Sequence, residues 1–168
     1  MTTLAASIAL AIAGSYSNAL DINSVNYPLN FGPNYTFTDG SGAGQASKVF
    51  TDLRTLAASA TEDLDLNGTT LLDAFGNAIA FTKIKGIIVV ADAANTNDVV
   101  VGGAASNGFI SPFGASTDKV KVRPGGMLVL VDPGAAGYAV TAATADLLRI
   151  GNGGGTTSVN YQIFLIGA

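Results

Sequence analysis

"TEDLDLNGT", residues 61–69, admits two readings, and the choice between them decides the fold. Asp63, Asp65, Asn67 and Gly68 fall at the first, third, fifth and sixth positions of an EF-hand calcium loop. That loop needs a bidentate Glu at its twelfth position, where this chain has Ala74, with Asp73 one residue early. The same letters also alternate with period two. Leu64 and Leu66 then face one way, Asp63 and Asp65 the other, and Asn67-Gly68 closes a hairpin. The strand reading accounts for every residue, so a β-strand is predicted here and no metal ligand set.

Similar strand signals recur along the chain: "ASKVFTDLRTLAAS", "NAIAFTKIKGIIVVAD", "VVVGG", "KVKVR", "MLVLVD", "YAVT", "ADLLRIGN" and "SVNYQIFLIGA". Turn-forming stretches such as "NTND", "PGG", "PGAAG" and "GGGT" separate many of them. Strands at roughly 8–12-residue spacing point to an all-β sandwich or barrel. The fold expected is an antiparallel β-sandwich of the jelly-roll type. It occupies residues 46–168 as a single domain, preceded by an N-terminal arm and loop at 1–45.

In the first segment, "MTTLAASIALAIAGSYSNA", residues Leu4, Ala6, Ile8, Leu10 and Ile12 are spaced by two. That fits a strand or extended arm; the i, i+4 series Leu4, Ile8, Ile12 also fits a helix. No Lys or Arg precedes the apolar stretch as in a signal peptide, so the segment is expected to stay on the mature chain. Residues 21–44 are rich in Asn, Pro, Gly and Ser and read as a long loop with one short strand at 35–38. Tyr27, Phe31, Tyr35 and Phe37 cluster there. Leu4, Ile8, Leu10, Ile12, Tyr27, Phe31 and Tyr35 are the candidate interface residues.

Composition narrows the function. The chain has no Cys and no Trp, and His is also absent. That removes thiolate zinc sites, Cys nucleophiles and the Ser-His-Asp triad. Ser116 and Lys119 have the S-x-x-K spacing of serine β-lactamases but sit in a turn without companion motifs. The Gly-rich stretches "GSGAGQASK" and "GNGGGT" lack the closing letters of a phosphate loop. No catalytic residue and no cofactor is expected. Charged residues are 12% of the 168 and the net charge is −4, which gives no support for nucleic-acid binding, and the N-terminal apolar stretch is too short and too rich in Ala and Ser to span a membrane. So little charge beside 48% apolar residues instead suggests an exterior covered by other subunits.

"FTDLRTLAASATEDLDLNGT", "LLDAFGNAIAFTKIKGIIV", "NTNDVVVGGAASNGF", "VRPGGMLVL" and "TADLLRIGNGGGTTSVNYQIFLIGA" together resemble small virion structural proteins of tailed bacteriophages. The resemblance spans about residues 46–168. It implies a non-enzymatic structural protein, made in the host cytoplasm and resident in the virion. Within that class, jelly-roll cement or decoration proteins sit on the outside of the capsid. The partners implied are the major capsid protein lattice and further copies of the chain, as dimers or trimers. A tail or baseplate component, or a sandwich that binds carbohydrate or a receptor, is the alternative.

Overall fold

The computed structural model describes residues 3–168, which form thirteen strands and no helix. The body is built from two antiparallel sheets. One has the order β5 (Lys48–Leu56), β13 (Val159–Gly167), β7 (Lys83–Ala91) and β10 (Met127–Val131), with β11 (Tyr138–Ala139) also on β7. Its partner has the order β6 (Thr61–Asp65), β12 (Leu147–Asn152), β8 (Val99–Gly102) and β9 (Lys119–Val122). The pairings are nested: β5 with β13, β6 with β12, β7 with β10 and β8 with β9.

Alternation along each strand drives the sandwich. Leu64, Leu148, Ile150, Val99 and Val101 from one sheet meet Phe50, Ile87, Val89, Ile163 and Leu165 from the other in one buried core. The outward residues of the four-stranded sheet are charged or small: Asp63, Arg149, Gly151, Val100 and Lys121. The five-stranded sheet differs, because its outward rows are apolar too. Val131, Gly86, Ile166 and Val49 form one such row; Val129, Ile88, Phe164 and Thr51 the next; Met127, Val90, Gln162 and Leu53 the third.

Residues 61–65 are a strand, and Leu64 and Leu66 are buried. Asp63 lies opposite Arg149, which donates to both carboxylate oxygens at 2.7 Å from Nε and Nη2. The expected hairpin at Asn67-Gly68 is corrected: β6 pairs with the distant β12 instead. Asp65 Oδ1 accepts the Asn67 N–H, and the Phe81 N–H donates to the Leu66 carbonyl at 2.7 Å. The turn therefore leads the chain across to β7. The long-range ladder, with Arg149 facing Asp63, overrides the local turn signal.

A polar cluster ties the two sheets at one edge. Glu62, on the inward side of β6, accepts from Tyr161 Oη at 2.6 Å and from Arg54 Nη1 at 2.5 Å. Arg54 also reaches Asp52 at 3.0 Å and lies over the Phe50 ring. Burial, then the hydrogen bond and charge of Glu62, push the Tyr161 phenol far above its ordinary range. Because the folded-state value lies above the unfolded value of about 10, the phenol's contribution to stability is full below that pH and is lost progressively as pH rises from there toward the folded-state value. Tyr161→Phe is expected to cost about 1.5–3 kcal/mol at neutral pH, the worth of a hydrogen bond to a charged group. Urea melts of the variant should also fall less steeply than the parent's as pH rises above about 10.

Candidate interaction surface

Residues 3–38 hold the most exposed strands of the molecule. β1 (Ala5–Ala9) pairs with β4 (Asn34–Thr38), and β2 (Ile12–Ala19) pairs with β3 (Ser24–Phe31). Between the two ladders two residues intervene on each strand, Leu10 with Ala11 and Gly32 with Pro33, so the register carries through without a bulge. The Leu10 N–H donates to the Pro33 carbonyl at 3.1 Å and bridges the gap. The result is one antiparallel ribbon, closed at residues 20–23 by the Leu20 N–H to Asn23 carbonyl bond. At about 3.4 Å per residue the ribbon is roughly 50 Å long.

This corrects the long loop expected at 21–44. Val25, Tyr27, Leu29 and Phe31 alternate with Ser24, Asn26, Pro28 and Asn30, a period of two hidden by turn-type residues. Pro28 is tolerable because ladder bonds at Leu10–Pro33 and Leu20–Asn23 put the 15–28 pair at a non-hydrogen-bonded position. Its nitrogen therefore faces the open edge, where a missing donor blunts strand addition.

Side chains divide sharply between the ribbon's two faces. Ala6, Ile8, Ile12, Gly14 and Tyr16 share a face with Phe37, Tyr35, Phe31, Leu29 and Tyr27. The opposite face holds Ser7, Ser15, Ser17, Thr36 and Asn26. From Thr3 to Thr38 the only charged residue is Asp21, at the tip.

The two halves of the apolar face have different fates. At the base, Ile8 and Phe37 are buried against Ile166, with Leu4, Tyr35, Ile88, Val129 and Val131 packed around them. Ile8 reaches in because position 86 is glycine: a Cβ there would stand 2.7 Å from Ile8 Cδ1. Beyond Leu10 nothing is covered. Every residue of β2 and β3 is exposed, with Tyr16 at 75%, and Ile22 in the turn between them is 93% exposed.

The candidate interface residues therefore lie on one ribbon but not in one environment. Leu4, Ile8 and Tyr35 belong to the seat on the body; Ile12, Tyr27 and Phe31 belong to the free half. Leu10 stands at the notch between them, beside Pro33. Sequence reading missed the exposed apolar side chains on the body, of which Phe75, Leu53 and Met127 are the most open. Leu53 had a signal, since it shares parity with Thr51 and Thr55 on the outward side of β5. Phe75 tops a turn in which Asp73 Oδ1 accepts the Phe75 and Asn77 N–H groups at 2.8 Å, and these bonds lower the Asp73 pKa.

Among the described residues no three His, Cys, Asp or Glu side chains gather as a metal site requires. Those residues also include no helix long and apolar enough to cross a membrane. No protein-family model, curated protein or solved structure matches the chain.

Replacing residues 11–32 by an Asn-Gly turn removes only the uncovered half of the ribbon, and an isolated two-stranded hairpin adds little stability. The melting temperature is expected to shift by less than about 3 °C. Phe37→Ala, at the seat, should instead cost about 3–5 kcal/mol in urea unfolding.

Proposed function

We propose that this chain is a non-enzymatic structural protein of a phage virion, most specifically a cement or decoration protein on the capsid surface. The observation that carries the reading is the arm: an uncharged apolar ribbon face, seated at its base and open over its distal eight residue pairs. A contiguous exposed apolar surface of this size marks a contact with another macromolecule. The nested pairing of eight strands supports the jelly-roll reading, because two interleaved Greek keys produce that order. The resemblance of residues 46–168 to tailed-phage virion proteins supports the setting.

In this reading the body is a rigid plug and the arm links it to neighbouring subunits of the shell. Each contact is modest, and repetition over a lattice multiplies it through effective concentration. The low charge follows from the same role, since a surface met by neighbours on several sides has less need of charge for solubility.

The test is co-sedimentation with heads that lack the protein. The full chain should pellet with heads and saturate at a fixed number per lattice unit. The chain shortened at 11–32 should bind at least about tenfold more weakly, the effect of losing more than one interface anchor. Binding to tails and not to heads would move the protein to a tail or baseplate role. Equal binding by the shortened chain would overturn the role given to the arm.

A further inference from the structure

The arm is not the only uncovered apolar surface. The third outward row of the five-stranded sheet, Met127, Val90, Gln162 and Leu53, lies past the reach of the arm's seat. Leu53 is 67% exposed and Met127 61%, and Phe164 of the adjoining row is also partly open. A groove runs there between Leu53, Val90, Gly125 and Gln162. Like the apolar face of the arm, this row carries no charge, and Asp92 is the one charged residue lining the groove.

The molecule already shows how these two kinds of surface fit. At the seat, the apolar face of the ribbon lies on the outward face of this sheet, with Ile8 over Gly86 and Phe37 beside Ile166. The free half continues the same ribbon face, and the open row continues the same sheet face. Each surface thus matches the partner of its own covered half. We infer that the distal arm of one copy lies on the open sheet row of a second copy of this chain. The inference rests on reading the arm as an assembly element, and names what it assembles with.

The extent of the surface agrees. Ile12, Tyr16, Val25, Tyr27, Leu29 and Phe31 together expose roughly 800 Å², about what one partner contributes to a standard interface. Aromatic side chains are prominent among them, as in the buried anchors of specific interfaces. Gln162, between Val90 and Leu53, offers an amide to the Asn and Tyr groups of an incoming ribbon.

Because the chain lacks Cys, single cysteines act as unique probes. Tyr16→Cys protein and a mass-tagged Leu53→Cys protein are mixed, without any particle, and treated with a short bismaleimide. The mixed conjugate is expected to exceed either self-conjugate. Sedimentation velocity of the parent chain should show species larger than one chain at micromolar concentration. Leu53→Arg should weaken that association about tenfold or more while leaving the melting curve of the dilute protein in place.

The inference is overturned by a parent chain that stays monomeric, by Tyr16–Tyr16 conjugates dominating, or by Leu53→Arg associating like the parent. Arm-dependent flotation with phosphatidylcholine vesicles, in place of self-association, overturns it as well. A chain that binds heads yet remains monomeric defeats this inference and leaves the decoration role standing. One that associates through these residues and ignores heads does the reverse.

Discussion

A sheet that is apolar on both sides must be covered twice. The five-stranded sheet imposes that constraint on the whole molecule: along β7, Ile87 and Val89 point into the sandwich while Ile88 and Val90 point out of it. The four-stranded sheet covers the inner side. Its own outer face carries Asp63, Arg149 and Lys121, and needs nothing over it. The outer side of the five-stranded sheet is covered only where Ile8 and Phe37 sit. Burial of large aliphatic and aromatic side chains is worth roughly 1.5–3 kcal/mol each, enough to hold a short two-stranded base that would be marginal alone.

The seat also decides what the rest of the ribbon presents. Once Ile8 is over Gly86, strand alternation aims Ile12, Tyr16, Tyr27 and Phe31 along the same side. Folding of the body and display of the arm are thus one event. At the opposite pole, Glu62 gathers Tyr161 and Arg54 from the facing sheet, and Asn152 Nδ2 donates to the Ala57 and Thr157 carbonyls at 3.0 and 2.7 Å. These polar ties rigidify the sandwich on which the seat is built.

Much of the body was legible because its strands keep a strict alternation or a short β-branched run, as in "KIKGIIVVA" and "TEDLDL". Pairing was not legible. Nothing local says that β6 joins β12 in place of the next strand, because that pairing rests on residues far apart in the chain, Leu64 buried opposite Leu148 and Asp63 facing Arg149. The arm was half legible. Leu4, Ala6, Ile8, Leu10 and Ile12, spaced by two, announced an extended apolar edge, while Asn and Pro in 24–31 disguised the returning strand. Exposed ribbons accept such residues because no core excludes them. Leu53 was legible from its parity with Thr51 and Thr55, whereas Met127 was not, because "MLVLV" is apolar on both faces and its alternation cannot say which side is open.

The unbroken register through Leu10–Ala11 and Gly32–Pro33 makes the arm a ruler with a fixed graduation. One extra residue on a single strand breaks the ladder, and one on each turns every side chain beyond it to the opposite face. Only two residues on each strand lengthen the arm and keep Tyr16 and Tyr27 aligned with Ile8. Its reach can therefore change only in steps of about 7 Å, twice the rise per residue. A partner that binds along the arm would meet it only at spacings that change in the same increments.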